Sequence, residues 1–217
     1  MIEVPLYRQT FGFSCGPAAL MMVMGRIEPT FELDRSTETD IWRDATLFES
    51  RATSAYGLAF AALKRGRHAR VAATDDSIGF DRTLKEHFTD INSELMDTLY
   101  SITVKEARRM GVQEIIGDRT DGGDKEPASG TGTGGCGEEE CLEHIRIELS
   151  RGISPIVLVG TSLMGEALSI PHWVVVLGVN DHIHLANPES GRIERFPLKD
   201  FEQALGYDGY RAVVSVW

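Results

Sequence analysis

The stretch PHWVVVLGVNDHIHLAN (residues 171–187) predicts two β-strands joined by a turn at Asn180 and Asp181. Both runs are rich in β-branched residues, which favour strands, and the Asn-Asp pair between them favours a turn. Two further runs of this kind occur in the second half of the chain, ISPIVLVG (residues 153–160) and YRAVVSVW (residues 210–217). The second half is therefore predicted to form a sheet.

The first half of the chain is predicted to be mostly helical. PAALMMVM (residues 17–24) is apolar on all sides, which indicates a buried helix that Gly25 ends. Further helices are predicted at residues 38–50, 57–66, 80–88, 93–110 and 138–150, with one strand at residues 69–73. Helices first and strands later, without alternating βαβ units, predict an α+β fold in which a helical layer packs on an antiparallel sheet.

The chain is interpreted as one domain, residues 1–217, with a helical insert at about residues 30–116. The segment GDRTDGGDKEPASGTGTGGCG (residues 117–137) is rich in glycine and almost free of apolar residues, which is typical of a flexible loop. Such a loop is either a tolerated surface insertion or a lid over an active site, and both interpretations stay open.

The charge of the chain bears on its partners. It contains 33 acidic and 22 basic residues, a formal net charge of −11, which disfavours nucleic acid or an anionic membrane as the main partner. No apolar stretch approaches the length of a membrane span, and the start MIEVPLYRQ lacks the features of a signal peptide. We therefore expect a cytoplasmic protein, and the sequence leaves its oligomeric state open.

Three cysteines, Cys15, Cys136 and Cys141, are an odd number in a chain expected to occupy a reducing compartment, so no disulfide framework is expected. Cys136, Cys141 and the nearby His144 match the compact pairs of a zinc site poorly. The sequence therefore predicts no metal and no organic cofactor.

Cys15 is the candidate nucleophile because it precedes the predicted buried helix. A thiol at a helix N-terminus is stabilised as the thiolate by free backbone N–H groups and the helix dipole, which lowers its pKa. The backbone N–H of Cys15 and the side-chain amide of Gln9 could then form an oxyanion hole. The alternative is that Cys15 is a buried small apolar residue and Gln9 a surface residue.

His172 and Asn187 are the candidate base and the group that orients it. Pairing of the two predicted strands around the turn brings His172, at the start of the first strand, near Asn187, at the end of the second. The alternative for His172 is a structural histidine without a catalytic partner. His182 and His184, which alternate on the second strand, are interpreted as structural.

QTFGFSCGPAAL (residues 9–20) and the later PHWVVVLGV and HIHLANP resemble the bacteriocin-processing, double-glycine leader peptidases, a branch of the papain-like cysteine peptidases. DIWRDATLF (residues 40–48) and YGLAFAALKRG (residues 56–66) are similar to a stand-alone subgroup that lacks transporter domains. The resemblance implies a papain-like fold with Cys15 as nucleophile, His172 as general acid and base, Asn187 as orienting group and Gln9 as oxyanion donor. Asn187 stands where transporter-linked members commonly carry Asp, so cleavage after a double glycine is not implied.

The leading hypothesis is a cysteine peptidase or amidase that cleaves a peptide or protein substrate through an acyl-thioenzyme. One alternative is a transpeptidase or transamidase, in which an amine captures the same intermediate. A second alternative is a peptide-binding module that keeps the fold without turnover.

Overall fold

The computed structural model describes residues 1–47, 51–77, 92–116 and 137–217. The helices in these ranges are α1 (Cys15–Ile27), α2 (Arg35–Ala45), α3 (Ala55–Lys64), α4 (Ser93–Arg109), α5 (Glu138–Ser150) and α6 (Leu198–Ala204), with a short 3-10 helix at Thr161–Met164. The strands are β1 (Ala69–Ala73), β2 (Gln113–Ile116), β3 (Ile156–Gly160), β4 (Pro171–Val179), β5 (His182–Asn187), β6 (Arg192–Pro197) and β7 (Ala212–Val216). None of the helices in the described ranges combines the length and the apolar character needed to cross a bilayer.

The seven strands form one sheet in the order β2-β1-β7-β3-β4-β5-β6. The strands β1 and β2 pair in parallel, whereas the other neighbours are antiparallel. The prediction of an antiparallel sheet is therefore wrong at β1 and β2. A parallel pair needs a long crossover connection, and the connection between these two strands contains α4. β7 is the third strand in this order and joins β1 to β3.

Helices cover both faces of the sheet rather than one. Helices α1 to α4 bury their apolar residues against one face, whereas α5 and α6 pack against the other. Alternate residues of β3 serve the two cores, with Ile156 and Leu158 on the first face and Val157 and Val159 on the second. The central strands are therefore apolar throughout, which explains why they could be recognised from sequence.

Several predicted elements are confirmed, among them β1, α4, α5 and the strands β3, β4, β5 and β7. Strands β2 and β6 and helix α6 were not predicted; β6, of sequence RIERFP, is an edge strand without a buried residue. Gly25 does not end α1, which continues to Ile27. A Cβ at Gly25 would lie 2.8 Å from side-chain atoms of Leu33 and Pro5, so this glycine permits close packing instead.

The predicted helix at residues 80–88 lies outside the described residues, as does almost all of the predicted flexible loop at residues 117–137.

The hairpin of β4 and β5 contains a β-bulge that decides which face each side chain occupies. Near the turn Val179 lies opposite Ile183, whereas a two-residue turn at Asn180 and Asp181 would place Val179 opposite His182. The bulge between Val176 and Gly178 removes this one-residue offset, so that Val175 pairs with Ala186. A shift of one residue in the pairing of two strands moves every side chain to the other face of the sheet. The bulge therefore lets side chains at the start of β4 and at the end of β5 lie on the same face.

Candidate functional site

Cys15 is the first residue of α1, as the sequence predicted. The residue as a whole is half-buried, and its thiol is free of any disulfide. The turn that carries it is closely packed, because a Cβ at Gly16 would lie 2.2 Å from Oγ of Thr53 and 3.2 Å from Cδ1 of Trp173. The indole of Trp173 also donates a hydrogen bond of 3.1 Å to the carbonyl of Thr53. These contacts leave the backbone around Cys15 little freedom.

The surroundings of Cys15 favour its thiolate form. Burial by itself would raise the pKa of the thiol, but a hydrogen bond to His172, the charge of His172 and the backbone N–H groups of Trp173 and Gly16 outweigh burial. The pKa of Cys15 is therefore lowered. The contribution of Gly16 is the helix N-terminal effect expected from the sequence, whereas the N–H of Trp173 in β4 was not foreseen.

His172, at the start of β4, is the partner of Cys15. Burial would lower the pKa of this buried imidazole, but the hydrogen bond and charge of Cys15 act in the opposite direction, together with Asn187 and the charge of Glu189. The pKa of His172 is raised to about 9. A lowered thiol pKa beside a raised imidazole pKa favours the thiolate and imidazolium form of the pair over the neutral form.

Asn187, the last residue of β5, is buried and contacts His172 as predicted. The distance between Nε2 of His172 and Oδ1 of Asn187 is 2.9 Å. Because an amide oxygen only accepts, Nε2 of His172 carries the proton in this contact, which leaves Nδ1 as the ring nitrogen for Cys15. The β-bulge of the hairpin is what puts the two side chains on the same face.

The orientation of the Asn187 amide is fixed by two neighbours. Its Nδ2 donates a hydrogen bond of 3.1 Å to the carboxylate of Glu194 in β6, and its Oδ1 accepts one of 3.0 Å from the backbone N–H of Glu189. The hydroxyl of Ser190 donates to the other oxygen of Glu194 at 2.6 Å. A carboxylate accepts hydrogen bonds and cannot donate them, so Glu194 turns the oxygen of Asn187 toward His172.

Gln9 lies close to the same site but its amide is already engaged. Its Nε2 donates a hydrogen bond of 2.8 Å to the carbonyl of Phe11, and its backbone N–H donates one of 2.8 Å to the carbonyl of Pro188, next to Asn187. An amide nitrogen carries two hydrogens, so one N–H remains for a substrate oxygen. Gln9 therefore lies beside the base hairpin, with its side chain held in one orientation.

Sequence reasoning missed two carboxylates in this region, Glu194 and Glu38. Glu38 in α2 is buried and bonds to the segment that carries Gln9 and Cys15. A signal for Glu38 existed, because it shares the buried stripe of α2 with Ile41 and Ala45 and a glutamate there needs partners. Glu194 gave no such signal, because it lies on a polar edge strand.

A cavity of about 480 Å³ adjoins the Asn187 side of the site. Three of the residues that line it are acidic, Glu166, Glu189 and Glu194, and one is basic, Arg8. Arg8 donates a hydrogen bond to the backbone carbonyl of Glu189. The cavity is large enough for one or two side chains of a bound peptide.

The cysteines outside the site differ from the sequence expectation. Cys141, in α5, is fully buried and disulfide-bonded, although the sequence led us to expect no disulfide framework. A sulfur in a disulfide is no thiolate, so Cys141 cannot serve the metal cluster considered with Cys136 and His144. Cys136 itself lies outside the described residues.

No curated protein matches the chain. A family model described as "Peptidase_C39 like family" matches residues 4–120, more than half of the chain. The matched range contains Gln9, Cys15 and Glu38, whereas His172 and Asn187 lie beyond it. The relationship to C39 peptidases that the motifs around Cys15 suggested is thereby supported, and the chain belongs to the Peptidase_C39 like family.

Proposed function

We propose that the chain is a papain-like cysteine peptidase or amidase that cleaves a peptide or amide bond. The observation that carries the proposal is the placement of Cys15 at the N-terminus of α1 as the partner of His172, whose Nε2 lies 2.9 Å from Oδ1 of Asn187. The lowered pKa of the thiol and the imidazole pKa of about 9 agree with it. A buried structural histidine has no need of a thiolate partner, and a buried apolar cysteine has no reason for a lowered pKa. Membership of a C39-like family agrees with this chemistry.

In the proposed reaction the thiolate of Cys15 attacks the carbonyl carbon of the scissile amide. The oxygen of that carbonyl becomes negative and accepts hydrogen bonds from the backbone N–H of Cys15 and from the amide of Gln9. The imidazolium of His172 gives the proton on Nδ1 to the leaving nitrogen, the C–N bond breaks, and the amine departs. A thioester between the acyl group and Cys15 remains.

The second half of the reaction reverses the role of His172. Its neutral imidazole takes a proton from water, the resulting hydroxide attacks the thioester carbonyl, and the C–S bond breaks to release the carboxylic acid. Asn187 holds the ring through Nε2 throughout, so Nδ1 keeps facing the sulfur. Glu194 supports this orientation through Asn187.

The proposal is tested with a defined peptide library, including Lys- and Arg-containing peptides because the adjoining cavity is acidic. Products of wild type and of Cys15→Ala are compared by mass spectrometry. We expect cleavage by wild type and a loss of at least ~1000-fold in the variant, since the covalent route disappears. Cleavage that survives in Cys15→Ala would exclude Cys15 as the nucleophile.

An electrophilic peptide probe supplies an internal control in the same protein. It should label Cys15 and spare Cys141, which is disulfide-bonded. Adding a primary amine to the cleavage reaction then separates hydrolysis from transfer, because a transamidase would yield the amide of that amine instead of the acid. Labelling of Cys15 without any cleaved or transferred product would favour a binding module.

A further inference from the structure

The segment of residues 7–14, which contains Gln9 and leads into Cys15, has no helix or strand of its own. It is held by one carboxylate. Glu38 of α2 accepts four hydrogen bonds, from the hydroxyl of Tyr7 (2.9 Å), the backbone N–H of Thr10 (2.9 Å), the hydroxyl of Thr10 (2.6 Å) and the hydroxyl of Ser14 (2.5 Å). Every one of these donors belongs to the segment.

The positions of these donors matter because Thr10 follows Gln9 and Ser14 precedes Cys15. Glu38 therefore fixes the chain at the residue next to each proposed oxyanion donor. Between these two points the segment folds on itself, since the backbone N–H of Ser14 donates to the carbonyl of Phe11 at 3.2 Å. The same carbonyl receives the Gln9 amide. The geometry of the oxyanion hole thus depends on where Glu38 lies.

Aromatic contacts attach the segment to the same helix. The rings of Phe11 and Phe13 stack with centroids 5.3 Å apart, and Phe13 packs at 5.3 Å against Trp42 of α2. The guanidinium of Arg35, also in α2, lies 4.9 Å from the centre of the Phe11 ring. These contacts hold the outer surface of the segment, whereas Glu38 holds its buried side.

The energetics argue that Glu38 does more than stabilise the fold. Burying a carboxylate is expensive, and well-packed apolar residues often serve stability as well or better. Glu38 has no exposed surface at all, so its charge is sustained by the four hydrogen bonds. Charge-assisted hydrogen bonds also set distances tightly, which is what an oxyanion hole requires.

We propose that Glu38 is a positioning residue that holds the Gln9 amide and the Cys15 N–H in the geometry that stabilises the oxyanion. This role rests on the proposed function. Glu38 acts through the segment and touches neither the thiol nor His172. Its loss should therefore impair transition-state stabilisation and leave the thiolate and imidazolium pair in place.

The test compares Glu38→Gln with Glu148→Gln. Glu148 is a matched control: it is also a fully buried helical glutamate, but it pairs with Arg70 and Arg151 in a region that contains none of the proposed site residues. Both variants are expected to lose thermal stability. At a temperature where both are folded, Glu38→Gln should lower kcat by about 10- to 100-fold with KM within about twofold. Glu148→Gln should keep wild-type kcat.

A double variant identifies the path of the effect. Because Glu38 acts through Gln9 as well as through the Cys15 N–H, the loss of kcat in Gln9→Ala with Glu38→Gln should be smaller than the product of the two single losses. The pH dependence of Cys15 alkylation should stay that of wild type in Glu38→Gln. Additive losses, a shifted alkylation profile, or a stability loss without a kcat loss would each overturn the proposal.

Two milder variants cover the case in which Glu38→Gln does not fold. Tyr7→Phe and Thr10→Val each remove hydrogen bonds to Glu38 while keeping the size of the side chain, and each should lower kcat several-fold. Unchanged kcat in both would overturn the role of Glu38. Absence of Cys15-dependent turnover in wild type would refute the proposed function itself, which separates the two failures.

Discussion

The nucleophile segment (residues 7–16) and the base hairpin (β4 and β5) meet at one site but are built in different ways. Side chains position the nucleophile segment, through Glu38, the aromatic rings and the packing of Thr53 against Gly16. Backbone pairing and one β-bulge position the base hairpin. The difference teaches that the segment depends on individual contacts, each of which a substitution can remove, whereas the hairpin depends on register.

The chemistry divides along the same line. The base hairpin supplies His172, which sets the charge state of Cys15, and the N–H of Trp173. The nucleophile segment supplies the proposed oxyanion donors. Changes in the hairpin should therefore alter the reactivity of the thiol, whereas side-chain changes in the segment before Cys15 should alter turnover alone.

The largest effect is expected from His172→Ala. Turnover should fall by at least ~1000-fold, and alkylation of Cys15 by iodoacetamide near pH 6.5 should fall on the order of 10- to 100-fold, because the thiol loses the partner that lowers its pKa. In wild type the imidazolium of His172 loses its proton as pH rises through its pKa of about 9. The thiolate and imidazolium pair is then lost, so kcat/KM should decline in this pH range.

His144→Ala is the control for His172→Ala, because His144 is a buried histidine of α5 without a contact to Cys15. Its alkylation profile should match that of wild type. Alkylation of Cys15 that is insensitive to the loss of His172 would contradict the ion pair and with it the division between the two regions.

A smaller effect is expected from Gln9→Ala. Loss of one oxyanion donor should lower kcat by about 100-fold. The alkylation profile of Cys15 should not change, because Gln9 is absent from the groups that set the pKa of the thiol. Full activity would remove Gln9 from the site, and a shifted profile would mean that the two regions are not chemically separate.

The smallest effects are expected from the groups behind His172. Asn187→Ala should lower kcat about 10-fold and leave measurable activity, because the ring of His172 loses one hydrogen bond but keeps its place on β4.

Glu194→Gln should lower kcat about twofold to fivefold, since glutamine still offers an oxygen to Asn187. Steady-state kinetics on a common substrate measure both. A Glu194→Gln loss equal to that of Asn187→Ala would show that the carboxylate charge, rather than its hydrogen bond, matters.

The sequence predicted the central strands and the helix at Cys15 because apolar runs and an Asn-Asp turn have strong local signatures. It could not predict the parallel pairing of β1 with β2, which depends on contacts between distant parts of the chain. The pairing of His172 with Asn187 was foreseen, but not the bulge that makes it work, for which the isolated Gly178 within the run of β-branched residues was the available signal. Glu194 and Glu38 gain their roles from partners in other elements, which a linear pattern does not reveal.

The position of β7 between β1 and β3 bears on how the molecule is made. On the ribosome, β1 and β2 emerge early and β3 to β6 much later, and each group exposes an unpaired inner edge until residues 212–216 leave the exit tunnel. Only then can a single strand unite the two part-sheets into the finished sheet. The seven-stranded sheet thus cannot be completed before β7 has been translated.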